Sequence, residues 1–299
     1  MTRKGVILAG GYGTRLAPLT NAISKQLLPV YDKPMIYYPL TTLMLSGIRE
    51  ILIIAAERDL SLYRKLLGAG SQWGLSLQYA AQETPRGIAD ALLVGDVFLG
   101  DSSAALILGD NLFFGHGLTG FLSRANENQV RASVFAYRVK DPHRYGVIQL
   151  TDSGLPSRLI EKPESPVSHL AVTGLYFYPP GAARIAEKVT PSARGELEIT
   201  DVNNWYLEND LLDVHVLHRG FAWLDTGTHD ALHQASSFVQ TVQERQGLLI
   251  ASPDEIAWRL GYIDTAALRD LAARLGLGEY GSYLSALAEE SGEGAHDAS

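Results

Sequence analysis

The stretch ILAGGYGTRLAP, residues 7–18, sets a short apolar run directly against three glycines, a threonine and an arginine. An apolar run that stops at glycines reads as a strand ending in a turn. Glycine lets successive backbone N–H groups converge on one oxyanion, so such a turn can cradle a phosphate. Arg15, two residues past the last glycine, adds a planar fork of donors suited to polyphosphate oxygens, a cation that a purely structural turn does not need. Two familiar cradles fit poorly. The dinucleotide fingerprint asks for Gly-x-Gly-x-x-Gly and an acid about 20 residues on; Gly11, Gly13 and Asp32 comply, but Leu16 stands at the third glycine and Pro18 follows it. A P-loop asks for Lys-Ser or Lys-Thr after its second glycine, and that dipeptide is missing here.

Outward from this loop the chain alternates. GVILAG (5–10), EILIIAA (50–56), LSLQYA (75–80) and AALILGD (104–110) are β-rich runs separated by gaps of helical length, the rhythm of a mostly parallel sheet. MIYYPLTTLMLSGI (35–48) and GIADALLVGDVF (87–98) predict two of the helices; Pro34 suits a first turn, whereas Pro39 is awkward inside one. The second half reads as strands broken by turns: ASVFAYRV (132–139), YGVIQL (145–150), SRLIEKP (157–163) and AVTGLYFY (171–178), with LLDVHVLHRGFAWLD (211–225) adding another pair. From about residue 229 the pattern turns helical. The expected organisation is an α/β domain over 1–228, with a nucleotide-binding half to about 110 and a substrate half over 111–228. A helical segment over 229–288 and a disordered acidic tail, EESGEGAHDAS (289–299), follow.

Composition narrows the function classes. The 299 residues are long enough for a large buried core, and 46% are apolar without a run of the 18 or more that a membrane span requires. The basic start MTRKG leads into an apolar run too short for a secretory signal, so the chain is expected to stay in the cytoplasm. Zero cysteines exclude disulfides, thiolate metal sites and a cysteine nucleophile. A net charge of −8 disfavours nucleic acid as a partner, since tracking a polyanion needs a basic stripe. A small anionic ligand held by a few local cations remains open.

A second segment, SKQLLPVYDKP (24–34), places Lys25 and Gln26 in loop near the same sheet edge, although a lysine there, taken alone, reads first as solvated surface. LAGGYGTRL together with SKQLLPVYDKPMIYYPL resembles the signature of the sugar-1-phosphate nucleotidyltransferases, and in detail of the glucose-1-phosphate thymidylyltransferases. The resemblance continues in order through GSQWG, LILGDN, DPHRYGVI, EKP, VTGLYFY, PSARGELEITD and GFAWLDTGT, spanning about residues 4–260. It implies a Rossmann-like mixed sheet with helices on both faces and an added helical C-terminal segment. It also implies a reaction in which dTTP and glucose 1-phosphate give dTDP-glucose and pyrophosphate, the first step of dTDP-deoxysugar biosynthesis. A sugar phosphate is already largely dianionic at neutral pH and can attack the α-phosphorus without a protein nucleophile. The enzyme must then hold two mutually repelling anions in line and shield their charge.

The same resemblance assigns residues. Asp110 and Asp225, strand-end carboxylates that could otherwise be Asx turns or helix caps, match a pair that binds Mg2+ in family members. Arg15 and Lys25 would neutralise the triphosphate, and Lys162 would meet the sugar phosphate, with Arg194 as a second candidate; each of the last two also reads as exposed surface. Leu8, Gly10, Gly11, Gly13, Thr14, Gln26, Gln82, Pro85 and Gly87 would line the nucleotide. Asn111, Tyr145, Gly146, Glu161 and Val172 would line the sugar, although Glu161 reads equally as a surface charge and Tyr145 as a core aromatic. An amide such as Gln82 can match thymine or uracil but can rotate to match other bases.

Three positions depart from the commonest family pattern: Arg86 replaces an acid, Ile88 a leucine and Asp90 a glutamine, which leaves the balance between dTTP and UTP open. The C-terminal helices resemble those of longer members, which form homotetramers with a regulatory site; Arg219, Ser252, Glu255, Ile256 and Arg259 match that site. Locally, Glu255 and Arg259 are also an ordinary i, i+4 helix pair. Ser252 is cysteine in many relatives, and GHGLTGFL (115–122) lacks groups common after this Gly-His. Two readings of other classes are an NAD-dependent oxidoreductase, from Gly11, Gly13 and Asp32, and a non-catalytic sugar-nucleotide sensor on the same fold.

Overall fold

The computed structural model describes residues 2–290. In the first part of the chain β1 (Arg3–Leu8) leads through the glycine loop to a short ribbon of β2 (Pro29–Val30) and β3 (Lys33–Pro34). Then come α1 (Tyr37–Leu45), β4 (Glu50–Ala55), α2 (Glu57–Leu67), β5 (Ser76–Ala81), α3 (Asp90–Val94), α4 (Asp96–Leu99) and β6 (Ser103–Leu108). β5, β4, β1 and β6 lie side by side and parallel, in that order. Their sequences are continuous apolar runs because both faces are covered: Val6, Leu52 and Leu106 point into one core, while Ile7, Ile53 and Ile107 point into the other.

After β6 come β7 (Asn111–Gly115), α5 (Leu118–Glu127), β8 (Ala132–Arg138), β9 (Gly146–Leu150), β10 (Pro156–Glu161) and β11 (Leu170–Tyr178). These are followed by α6 (Ala182–Ala186), α7 (Ile199–Glu208), β12 (Leu212–Leu217) and β13 (Phe221–Asp225). β11 is the hinge of the architecture. Along one edge its first half touches β9 and its second half runs antiparallel to β6, Leu175 opposite Ile107, while both halves pair with β8. β10 extends the sheet beyond β9, and β12 adds a parallel edge to β8, giving nine strands in one mixed sheet. The α/β fold with helices on both faces is therefore as the sequence implies.

Three local expectations change. Pro34 closes the β2–β3 ribbon rather than opening a helix; α1 begins at Tyr37, and Pro39 sits in its first turn, where backbone N–H groups have no intrahelical partner to lose. The stretch 87–98 breaks into α3 and α4 at Gly95, whose added Cβ would sit 3.0 Å from the Ala91 carbonyl oxygen. The paired strands of 211–225 do not pair with each other. β12 joins the main sheet, while β13 forms a separate antiparallel ribbon with β7, which the sequence reading did not recognise.

α8 (His229–Gln246), α9 (Pro253–Arg259), α10 (Thr265–Leu275) and α11 (Glu279–Glu290) complete the chain. Thr228, Ser252 and Asp264 cap the first three through their side-chain oxygens. α8 packs Ala235 and Val239 against Val30, Tyr38 and Leu112, tying the helical segment to the ribbon and to β7. Of the tail expected from 289, Glu289 and Glu290 belong to α11 and the rest lies outside the described residues. No helix among the described residues is long and apolar enough to cross a membrane.

Candidate active site

Above the ends of β1 and β6 opens a cavity of about 400 Å³, bordered by the glycine loop, β7, β9, β10, β13 and the start of α7. Open α/β sheets bind ligands at this edge. Of the residues singled out in the sequence, Arg15, Asp110, Asn111, Tyr145, Gly146, Glu161, Lys162, Val172 and Asp225 line it.

The two aspartates reach the cavity by different routes. Asp110 lies between β6 and β7, and Asp225 ends β13 opposite Asn111 in the β13–β7 ladder. Thr226 locks the junction, donating from its N–H at 3.1 Å and its hydroxyl at 2.8 Å to the Asp110 carbonyl. Lys25, placed by a 3-10 turn over Lys25–Leu27, donates to Asp110 Oδ2, so it is not a solvated surface lysine. Asn111 Nδ2 donates to Asp110 Oδ1 at 3.0 Å. Burial pushes the Asp110 carboxyl up, but the charge and hydrogen bond of Lys25, with the Asn111 amide, outweigh it and hold the pKa below the usual carboxylate value. Asp225 Oδ1 accepts the Gly227 N–H at 2.7 Å, and its Oδ2 accepts from Arg144 and from the Tyr145 hydroxyl, each at 3.2 Å. Burial, then the Asp225 charge, pushes the Tyr145 phenol up to about 12, so it stays a donor.

Neighbouring carboxylates that keep free lone pairs suit a hard divalent cation such as Mg2+, which takes few protein ligands and fills its shell with phosphate and water oxygens. No cluster of three or more His, Cys, Asp or Glu among the described residues could hold a metal by itself. A cation here therefore needs a ligand's oxygens to complete its shell. Arg15 has no hydrogen-bond or ion-pair partner among the described residues. Its guanidinium would be met at 2.9 Å by a Cβ on Gly227, which places it beside Asp225.

Across the cavity Glu161 Oε2 accepts the Thr200 hydroxyl at 2.5 Å, and its Oε1 accepts from Arg194 at 3.3 Å. Gly146, opposite Glu161 in the β9–β10 ladder, leaves room for that pair: an added Cβ would meet Thr200 Oγ1 at 3.0 Å and Glu161 Oε2 at 3.1 Å. Lys162 adopts φ 40°, an uncommon backbone conformation for a side-chain-bearing residue of the kind that gathers at functional sites, and its ammonium lies 3.8 Å from Glu161. Arg194 is held by Glu198 at 2.7 Å and Glu196 at 3.4 Å as well as by Glu161, outside the cavity wall.

The nucleotide candidates form a separate group. Gly11 and Gly13 take φ 92° and 60°, and Thr14 opens a 3-10 turn through Leu16. The Leu8 carbonyl accepts the Gly109 N–H at 2.9 Å, and Gln26 is buried with its Cγ against the place of a Gly109 Cβ. Gln82, also buried, abuts Gly10. Pro85 and Gly87 belong to a loop stitched to Leu197 by two backbone hydrogen bonds, Leu197 N to Arg86 O at 2.6 Å and Ala89 N to Leu197 O at 3.1 Å.

Sequence reasoning passed over Arg144, Thr200 and Trp223, all in the cavity wall. Trp223 donates from its indole to Asn111 Oδ1 at 2.6 Å, and the Gly174 N–H donates to the same oxygen at 3.0 Å. The three lie within the DPHRYGVI, ELEITD and GFAWLD motifs, but their partners sit tens of residues away in sequence. Asp32, the acid of the dinucleotide fingerprint, faces elsewhere: it accepts from Lys33 at 2.6 Å and from Gln243 of α8 at 3.0 Å. Of the regulatory candidates, Ser252 caps α9 and hydrogen-bonds Tyr280, while Glu255 accepts from Arg259 at 2.7 Å and from Tyr283 at 3.0 Å. Ile256 of α9 packs on the core. Arg219 lies in the β12–β13 turn, and no side-chain hydrogen bond or ion pair among the described residues joins it to α9.

A family model described as nucleotidyl transferase matches residues 4–242. A glucose-1-phosphate thymidylyltransferase of Xanthomonas campestris pv. campestris is 55% identical over 287 residues, covering 96% of this chain and 97% of the relative. One of Neisseria meningitidis serogroup A is 53% identical over 281 residues, covering 94% and 98%. Among solved structures, a Bacillus anthracis protein crystallised with sucrose, provisionally named a glucose-1-phosphate thymidylyltransferase, superposes with TM-score 0.73 at 38% identity, covering 79% of this chain and 95% of that one.

Proposed function

The chain belongs to the nucleotidyl transferase family, and on that premise we propose that it transfers a thymidylyl group from dTTP to glucose 1-phosphate, giving dTDP-glucose and pyrophosphate. The observation that carries this reading is identity above half, over nearly the full length of both chains, to enzymes named for that reaction. Neither an oxidoreductase nor a silent sensor is favoured. The acid a nicotinamide dinucleotide would need is turned toward α8, and Arg15, Lys25, Asp110, Lys162 and Asp225 are all retained.

The chemistry follows from charge. An oxygen of the sugar phosphate attacks the α-phosphorus of dTTP, a new P–O bond forms, and the bond to the β-phosphate breaks with its electron pair leaving on pyrophosphate. No proton need move and no covalent enzyme intermediate is needed. Arg15 and Lys25 cancel charge on the triphosphate, which sits over the glycine loop with Leu8, Gly10, Gly11, Gly13, Thr14 and Gln26 around it. Gln82, Pro85 and Gly87 take the base. Lys162 and Arg194 receive the sugar phosphate, with Arg194 exchanging carboxylate partners for the anion. Glu161 and the Gly146 and Val172 backbones hold sugar hydroxyls; Asn111 and Tyr145 keep that wall in shape. Asp110 and Asp225 would hold Mg2+, which when bound would neutralise phosphate charge. The helical segment supports a homotetramer and carries a regulatory site for a deoxysugar nucleotide at Arg219, Ser252, Glu255, Ile256 and Arg259. The enzyme works in the cytoplasm.

Pyrophosphate release, measured for four nucleoside triphosphates against glucose 1-phosphate and glucosamine 1-phosphate with and without Mg2+, tests the reading. The pair dTTP and glucose 1-phosphate should lead, and activity should vanish when the metal is chelated. Turnover with neither sugar phosphate would overturn it.

A further inference from the structure

Two of the three positions at which the sequence departs from the family pattern, Arg86 and Asp90, pair with each other, and Asp90 in turn holds Gln82. Asp90 is the first residue of α3 and is 1% exposed. Its Oδ2 accepts from Gln82 Nε2 at 2.8 Å, and its Oδ1 accepts from Arg86 Nη2 at 2.6 Å. A carboxylate facing a guanidinium can only accept, so the group opposite it must be the nitrogen end of the Gln82 amide. An amide pointed the other way would set two acceptors against each other in a buried place. The Oε1 end is thereby turned toward Gly10, where an added Cβ would collide with it. The backbone hydrogen bonds between Leu197 and the 86–89 loop keep the three side chains in register.

We infer that Asp90, steadied by Arg86, is a positioning residue that fixes the polarity of Gln82 and so makes the pocket read a ring N3–H, as in thymine and uracil, in preference to the bare N3 of cytosine. The inference rests on the assignment of Gln82 to the base. A freely turning glutamine matches either edge; one pinned at its nitrogen meets an N3–H favourably and a bare ring nitrogen with lone pairs opposed.

The test is the ratio of kcat/KM for dCTP to that for dTTP, measured within one preparation so that any misfolded fraction cancels. Asp90→Asn, which can present either a donor or an acceptor to Gln82, should raise this ratio about tenfold, the worth of one hydrogen bond changing sign. Arg86→Met, at a side chain more than half exposed, should raise it in the same direction by less. A role confined to stability would lower both constants together and leave the ratio alone. If the ratio stays within twofold of wild type in both variants while Gln82→Ala abolishes base preference, the positioning role is overturned and the assignment of Gln82 stands. If Gln82→Ala also keeps the wild-type ratio, the assignment of Gln82 to the base falls with it.

Discussion

Lys25 Nζ donates to Asp110 Oδ2, so the one cation of the SKQLLPVYDKP segment placed at the sheet edge is tied to the carboxylate between β6 and β7. Replacing it with alanine removes a charge from the triphosphate and also leaves a largely buried carboxylate without its cation. Lys25→Ala is expected to lower kcat/KM by about 10²–10³, the usual loss when one electrostatic contact to a phosphoryl-transfer centre is deleted. Lys162→Ala should lose a similar factor. Pyrophosphate release under matched substrate concentrations checks both, and values within about threefold of wild type would sink the electrostatic account.

The same pair sets a pH dependence of stability. The folded pKa of Asp110 lies below its usual value of 3.8, so the unfolded chain binds the proton more readily than the folded one. Stability from this group is complete above the unfolded pKa and drains away as pH falls through the folded pKa. Urea midpoints measured downward from about pH 6 should therefore hold for this group until the ordinary carboxylate range is passed. Lys25→Ala removes the charge and hydrogen bond that hold this pKa down and leaves the burial that raises it, so the acid-side loss from this group should shrink or reverse sign; coincident wild-type and variant profiles would contradict the coupling.

Ribonucleotide turnover should be measurable. A 2′-hydroxyl is rejected strongly only where the pocket sets a clash or an unmatched polar group beside it, and simple steric discrimination amounts to about 10–200-fold. The expected order is dTTP ahead of UTP by no more than that range. Side-by-side kcat/KM values would refute the order if UTP came first.

Gly87 holds φ 113° with Leu197 against it, and a Cβ there would meet the Leu197 backbone nitrogen at 2.6 Å and carbonyl carbon at 2.9 Å. Gly87→Ala should cost more than about 1 kcal/mol, because the backbone conformation and the space both oppose it. Scanning fluorimetry should show a fall in Tm of a few degrees or more, and KM for dTTP should rise. An unchanged Tm would mean the 85–89 loop yields easily.

Regulation can be read from steady-state rates with added dTDP-rhamnose. Inhibition is expected, and Arg259→Ala should relieve it, since this arginine is half-exposed and shares Glu255 with Tyr283. Flat kinetics in the wild type would remove the regulatory site.

What the sequence disclosed was local. The apolar runs that became β1, β4, β5 and β6 are legible because a sheet covered on both faces demands unbroken branched and aliphatic residues. Arg15 is legible because a cation just past a glycine turn stands out, whereas Lys25, Asp110 and Lys162, each readable alone as surface or turn, became legible only through the motifs around them. Trp223 and Thr200 were not, because their value lies in partners 112 and 39 residues away, Asn111 and Glu161. The β13–β7 ribbon escaped for the same reason: Asn111–Gly115 carries no alternation of its own, and LHRGF looks like a hairpin turn until the separate partners of its two flanking strands are seen. Pro39 misled because the true start of α1 shifts it into the first turn.

The clasp between Thr226 and the Asp110 carbonyl spans 116 residues of sequence, and this sets an order of events on the ribosome. A nascent chain that has released β1 through β6 can already dock Lys25 on Asp110, yet its second acid has still to be translated. Competence must therefore arrive late and abruptly, with the emergence of β13, and prematurely terminated products should be inert however well their amino-terminal sheet has formed.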